Sequence, residues 1–146
     1  MKPLDILIMA AGKGTRMHSH LPKVLQRLAG RPLLQHVLDQ AAQLQARSAI
    51  VITGHGATEV EATSAGWIRA TGQFDLKFAR QEPQLGTGHA VQQALPQLRT
   101  DGTVVVLSGD VPLTQSETLR ALIAASEAVP GGALALLTVT LPEPSG

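Results

Sequence analysis

Apolar residues in this chain gather into short unbroken runs. Those of strand length fall at Leu4–Ala10, Ala49–Thr53, Leu76–Ala79, Thr103–Ser108 and Ala133–Val139. A strand without alternation has no wet face, so each run predicts a strand buried on both sides. Between the runs the apolar positions move to helical spacing and predict helices over Leu33–Gln45, Thr58–Ser64, Thr87–Leu98 and Ser116–Ala128. In the first of these, Leu33, Val37, Leu38, Ala41 and Leu44 share one stripe, which turns Gln35, Gln40 and Gln43 toward water. Pro32, just ahead, suits a first helical turn, where a missing N–H leaves nothing unpaired. Before the last helix, Thr114 and Glu117 have the spacing at which two side chains cap each other's free backbone N–H. Strands alternating with helices require crossover connections, and crossovers make a parallel sheet. The predicted fold class is therefore α/β, a mostly parallel sheet with helices on both faces.

Composition and charge narrow the function. A chain of 146 residues suits one domain able to bury about 70% of its unfolded surface. Its 12 Lys+Arg against 11 Asp+Glu leave a formal charge of +1, too little to coat a polyanion. Aromatics are 2% of the chain, confined to Trp67, Phe74 and Phe78, so base-stacking platforms lack material as well. No nucleic-acid partner is expected. There is no cysteine, hence no disulfide framework and no thiolate metal site, and a metal would need oxygen or imidazole ligands. The run Leu4 to Ala11 is too short to span a bilayer and leads at once into charged residues, unlike a signal peptide. A soluble cytoplasmic protein without membrane contact is the expectation. Gly12/Gly14, Gly54/Gly56 and Gly86/Gly88 each follow a strand, but their surroundings differ, so no repeat is read.

Three segments carry candidate chemistry. Ala10-Ala11-Gly12-Lys13-Gly14-Thr15-Arg16-Met17 follows the first strand directly. A glycine-rich turn in that place lets backbone N–H groups reach phosphate oxygens, and Lys13 and Arg16 add positive charge. It fits neither the Walker spacing nor the Rossmann one, where Met17 takes the place of the third glycine. Gly-Lys-Gly by itself also fits an ordinary strand-to-helix turn. Lys23, after Pro22 in Leu21-Pro22-Lys23-Val24-Leu25, can be aimed back at the same locus. Lys13, Arg16 and Lys23 then cluster cations beside the glycines, which favours an oxyanion ligand.

The second segment, Ser108-Gly109-Asp110-Val111-Pro112-Leu113, follows the apolar Val104-Val105-Val106-Leu107. Ligands of open α/β sheets bind beyond the carboxyl ends of strands. A carboxylate there suits Mg²⁺, which takes few protein ligands and completes its shell with water and phosphate. An isolated aspartate in a turn is commonly a cap; beside a phosphate-type loop, Asp110 becomes a candidate metal ligand. The third segment is Gln81-Glu82-Pro83-Gln84-Leu85-Gly86-Thr87-Gly88-His89-Ala90. Amides and a hydroxyl at a helix start can read a base edge, because Gln presents donor and acceptor together. The same residues also fit a wet loop with Thr87 as a cap. His18, His20, His36, His55 and His89 lack partners at metal-ligand spacing and are read as non-ligands. No Ser or Cys nucleophile motif is present.

Together and in this order, these segments resemble the N-terminal uridyltransferase domain of the bacterial bifunctional N-acetylglucosamine-1-phosphate uridyltransferase/glucosamine-1-phosphate acetyltransferase family. The first segment with Leu21–Leu25 is similar to the signature of nucleotidyltransferases acting on sugar phosphates, shared with cytidylyl and guanylyl transferases. Gln84–Ala90 and Gly109–Leu113 narrow the resemblance to the uridyltransferase, and it runs over essentially the whole chain. It implies a Rossmann-like nucleotidyltransferase fold, incomplete on its C-terminal side. It also implies that Ala10, Ala11, Gly12, Lys13, Gly14 and Thr15 hold UTP, with Arg16 and Lys23 as catalytic cations on its phosphates. Gln81, Gln84, Gly86 and Thr87 would bind the nucleotide, with Gln81, Gly86 and Thr87 reading uracil, and Asp110 would bind Mg²⁺. The implied reaction joins UTP and N-acetylglucosamine 1-phosphate into UDP-N-acetylglucosamine with release of pyrophosphate. The family's domain continues past Gly146 into a sugar-binding lobe with an asparagine as second metal ligand. An acetyltransferase domain follows, so residues 1–146 would be the nucleotide-binding part. Two other readings stay open: another sugar-phosphate nucleotidyltransferase, or a catalytically inactive module that binds nucleotide or a partner, itself included, through an open sheet edge.

Overall fold

The computed structural model describes residues 2–14, 19–72 and 74–142. In chain order, β1 (Leu4–Ala10) leads through a 3₁₀ turn at Lys23–Leu25 and a short hairpin, β2 (Arg27–Leu28) with β3 (Arg31–Pro32), into α1 (Leu33–Gln43). There follow β4 (Ser48–Thr53), α2 (Ala57–Thr71), β5 (Asp75–Arg80), α3 (Thr87–Ala94), a 3₁₀ turn at Leu95–Gln97, β6 (Thr103–Ser108) and α4 (Ser116–Glu127). The chain divides into two units, Met1–Thr114 and Gln115–Gly146.

The first unit holds a four-stranded sheet in the order β5-β4-β1-β6, and every pair in it is parallel. β1 and β4 are mostly apolar because both of their faces are covered. Ile6, Leu7, Ile8, Ile50, Val51 and Ile52 are all fully buried, each contributing about 1.5–3 kcal/mol by leaving water. Strand residues alternate faces. Leu7, Ile50, Ile52 and Ala79 point one way and pack with Ala90 and Ala94, whose small side chains let α3 close onto the sheet. Ile6, Ile8, Ala49 and Val51 point the other way, and α1 contributes Leu34, Val37, Leu38 and Ala41 to the buried set. Right-handed crossovers put α1 and α2 on that second face and return the chain over the first with α3. The α/β expectation with helices on both faces is met.

Register decides where a ligand can sit. Ala10 pairs with Thr53, Thr53 with Arg80 and Met9 with Ser108, so all four strands end at one edge. From β1 the chain runs outward through β4 and β5, then crosses back so that β6 lands on the other side of β1. The order reverses between β1 and β6, and a crevice opens at such a switch point. At the opposite end of the sheet lies a closed polar cluster. Asp5 accepts from Arg47 Nη2 at 2.5 Å, from Arg47 Nε at 3.1 Å and from Ser48 Oγ at 2.6 Å. Arg47 Nη1 reaches Asp101 at 2.9 Å.

Several sequence expectations need correction. β5 and β6 are edge strands and are not buried on both faces: Asp75 and Arg80 are exposed on β5, Val104 and Val106 on β6. The run Ala133–Val139 forms no strand, and Leu134, Leu136, Leu137 and Val139 stand exposed. Apolarity favours burial, but a strand exists only through a hydrogen-bonded neighbour, and no described strand pairs with this run. α2 runs to Thr71, well past Ser64, because Gly66 inside a helix costs only about 1 kcal/mol. Gly72 ends it, with its N–H on Ile68 O at 2.7 Å. α3 stops at Ala94 and not Leu98, since Pro96 carries no N–H for a continuing helix. α1 ends at Gln43 and not Gln45, and Pro32 is its N-cap instead of its first helical residue.

Two polar side chains also depart from expectation. The Thr114–Glu117 capping box does not form: Gln115 is the N-cap of α4, which places Glu117 one position too early to reach back. Gln40 is buried, not wet. Its amide donates to Pro112 O at 2.8 Å and Thr114 O at 2.6 Å, carbonyls that the helical stripe cannot foretell.

Candidate active site

The crevice between the ends of β1 and β6 is built from short-range rules. Pro22 starts the 3₁₀ turn, with Leu25 N–H on its carbonyl at 2.9 Å, and buried Val24 and Leu25 anchor it. That fixes the backbone of Lys23. Gly14 has a φ of +59°, a left-handed conformation, and a Cβ there would stand 2.9 Å from Lys23 Cβ. Only glycine lets the loop after β1 pass so close to this lysine. Across the crevice, Gly109 N–H bonds Met9 O at 2.9 Å and Val111 N–H bonds Ser108 O at 3.2 Å, a tight turn that presents Asp110. The Gln40 bonds hold the next stretch of the same loop. Lys23 Nζ then meets Asp110 Oδ2 at 2.5 Å, with both side chains partly open to solvent.

The other wall comes from the end of β5. Gln81 continues the ladder through its N–H on Thr53 O at 2.8 Å and is buried. Its side-chain Nε2 donates to Gly86 O at 2.9 Å and lies 3.1 Å from His89 Nδ1. Gly86 is the N-cap of α3 with a φ of +98°, a conformation that favours glycine, and its carbonyl also receives Ala90 N–H at 3.1 Å. Thr87 begins α3 without capping it. Gln84 donates to Ala11 O at 2.7 Å, tying this wall to the loop after β1.

These pieces enclose a cavity of about 300 Å³. Of the residues singled out in the sequence, Ala10, Ala11, Gly12, Lys23 and Asp110 line it on one side. Gln81, Gln84, Gly86 and Thr87 line it on the other. Lys13 belongs to an adjoining open cavity of about 700 Å³, shared through Gln81 and Gln84 and walled also by His55 and Arg80. Gly14 lines neither and shapes the turn. Thr15 and Arg16 lie outside the described residues. Arg80 grips Glu61 through two 2.9 Å bonds, and Thr53 Oγ1 donates to Glu61 at 2.8 Å. The Arg80 guanidinium holds the Glu61 carboxyl below its usual range, and Glu61 in turn raises Arg80.

A family model for the MobA-like NTP transferase domain matches residues 6–140. The chain belongs to that family. Over all 146 residues this NTP transferase domain is 74% identical to the bifunctional protein GlmU of Acidovorax ebreus (strain TPSY). It is 73% identical to that of Acidovorax sp. (strain JS42). The chain spans about 30% of the length of these relatives. Among solved structures it resembles a UDP-glucose pyrophosphorylase from Acinetobacter baumanii, with a TM-score of 0.72 at 20% identity, covering 88% of this chain and 54% of that one. A nucleotidyl transferase from Methanothermobacter thermautotroptrophicus aligns with a TM-score of 0.69 at 23% identity, covering 83% and 56%. At such identities the likeness speaks for the fold.

Some residues of the NTP transferase domain's cavity escape sequence reasoning. Met9, Val24, Ala90 and Ser108 line it, yet as apolar or small residues they carry no chemical signal. Gln40 supports it from α1. His89, read as a lone histidine without ligand spacing, is hydrogen-bonded to Gln81, and the i, i+8 separation of that pair is legible only once Gly86 is known to turn the chain.

Proposed function

We propose that this chain binds UTP and carries the nucleotide side of uridylyl transfer to N-acetylglucosamine 1-phosphate, giving UDP-N-acetylglucosamine and pyrophosphate. The observation that supports it most is the single cavity with a cation–carboxylate pair at one end and a buried amide at the other. That suits a molecule with a polyanionic tail and a base. Both hydrogens of Gln81 Nε2 are engaged within the protein, so its oxygen is what remains for a base, and an acceptor suits the N3–H of uracil. Gly86 and Thr87 at the start of α3 lie beside it. At the other end Lys23, Arg16 and the backbone N–H groups of Gly12, Lys13 and Gly14 would take the phosphates.

Asp110 fits a divalent cation that arrives with its nucleotide. It offers one partly open carboxylate, and no cluster of three acidic, His or Cys side chains stands among the described residues to cage a metal by itself. Mg²⁺, which keeps water and substrate phosphates in its shell, matches that donor set. When bound it would neutralise charge on the phosphates. A phosphate oxygen of the sugar phosphate attacks the α-phosphorus of UTP, a new P–O bond forms, and the bond to the β-phosphate breaks to release pyrophosphate. No protein nucleophile is required: Lys23 and Arg16 hold the phosphates in line and offset the charge of the leaving group. The reading carries with it a cytoplasmic location. No helix among the described residues is long and apolar enough to cross a membrane.

Calorimetry with UTP and Mg²⁺ tests binding, and addition of N-acetylglucosamine 1-phosphate with a pyrophosphate assay tests turnover. Arg16→Ala and Asp110→Ala are expected to weaken UTP binding, and unchanged affinity in both would reject the site. A second reading, self-association, is favoured by the exposed Val104 and Val106 on an edge strand without charges. Light scattering showing a clean monomer at high concentration would remove it.

A further inference from the structure

His89 takes no part in the reaction above, yet it is partly buried and both of its ring nitrogens are engaged. An amide nitrogen has two hydrogens to donate and accepts nothing. Of the two on Gln81 Nε2, one goes to Gly86 O at 2.9 Å and the other to His89 Nδ1 at 3.1 Å. Nδ1 must therefore be the bare, accepting nitrogen, and the ring hydrogen sits on Nε2. Gln93 Nε2 lies 3.1 Å from ring Nε2 and also donates to His89 O at 3.3 Å; with the ring hydrogen on Nε2, that amide turns its oxygen to the ring and gives up the bond to His89 O.

Gly86 O alone leaves one hydrogen of Gln81 unclaimed. With His89 in place both are claimed, and the amide has one orientation. The oxygen of Gln81 has no partner among the described residues. None of their buried side-chain oxygens is both unpartnered and sealed from solvent, so this oxygen opens on the joined cavities that Gln81 lines. We infer that His89 is a positioning residue that locks the Gln81 amide with its oxygen toward the base, and so sets the preference for uracil over cytosine. Uracil carries a hydrogen on N3 and meets an acceptor; cytosine has a lone pair there and is repelled. This rests on the nucleotide reading given above.

The test measures UTP and CTP affinity by calorimetry in Mg²⁺ for the 146-residue chain and for two variants. Wild type is expected to favour UTP at least about tenfold. His89→Phe removes the acceptor, and the ratio should collapse to within about threefold. His89→Asn places an oxygen where Nδ1 stands and should restore most of it, which loss of packing alone would not do. Nitrogen-15 NMR of wild-type His89 should show Nδ1 bare and Nε2 protonated in neutral solution, a readout independent of whether the Phe variant folds. A folded His89→Phe variant with undiminished UTP preference, or a hydrogen on Nδ1 in wild type, overturns the inference while leaving UTP binding intact. Failure of wild type to bind either nucleotide overturns the underlying reading and this inference with it.

Discussion

Asp5 and Asp110 each meet a cation at 2.5 Å, at opposite ends of the same sheet. Asp5 is 1% exposed and its partner Arg47 23%, whereas Asp110 is 29% exposed and Lys23 43%. Both carboxylate oxygens of Asp5 accept from protein donors: a guanidinium in two contacts and the Ser48 hydroxyl. Among the described residues Asp110 meets one lysine, and it stands partly open to solvent. A buried charge must be fully satisfied by the fold, and one left half-open can exchange its partner for a ligand. The same contact distance thus marks a closed structural clamp at the amino ends of the strands and a pair left open to solvent at their carboxyl ends.

That comparison breaks in a definite order of effects. Asp5→Ala leaves Arg47 with Asp101 alone and should cost about 3 kcal/mol in urea unfolding, with UTP affinity of the folded protein unchanged. A loss below about 1 kcal/mol would mean that the clamp is no more structural than a surface pair. Asp110→Ala should do the converse. Mg²⁺-dependent UTP affinity is expected to fall about 30-fold, near 2 kcal/mol, while stability stays within about 0.5 kcal/mol because the pair is solvent-screened. Glu61→Ala lies between the two kinds, since Glu61 is tied to a mostly exposed Arg80. A stability loss near 1 kcal/mol is expected, read as a small drop in melting temperature.

The gentlest effect is one of slope. Hydrogen bonds from Arg47, the largest influence, hold the Asp5 carboxyl below its ordinary range against the opposing effect of burial. A carboxyl lowered in the folded state adds stability above its unfolded pKa, and that stability is lost as pH falls through the folded value. Wild type should weaken in acid below the ordinary aspartate range, and Asp5→Asn should show a flatter profile in pH-dependent unfolding. Parallel profiles would assign the acid sensitivity to other carboxyls, Glu61 and Asp101 being held low in the same way.

What could be read beforehand follows the same division. β1 and β4 are legible because two-sided burial writes itself as a continuous apolar run; β6 carries such a run too, although Val104 and Val106 stand exposed, and the loops after β1 and β6 are legible because glycine and charge concentrate there. Ala133–Val139 looks identical by that criterion and forms nothing regular, since hydrogen-bonded neighbours are not encoded in the run itself. Most of the candidate residues gather into one cavity, with Lys13 in the adjoining one, because they follow strands of a single parallel sheet, while the strand order that brings β6 beside β1 is a property of three dimensions. Gln40 was misread, and the hydrogen bonds of His89 went unseen, for one reason. Each acts on a segment distant along the chain or folded back by Gly86, and neither helical phase nor metal-ligand spacing carries that information.

Gln40 ends as a matter of inheritance. Its two amide hydrogens point at two backbone carbonyls of the Asp110 loop, which any sequence there would present, so drift in the loop cannot relieve the demand on the helix. A change to glutamate would set an anion against both carbonyls, and one to leucine would leave them buried without donors. This position in α1 is therefore nearly closed to neutral wandering, though it lines neither cavity and lies 70 residues before the aspartate whose loop it steadies.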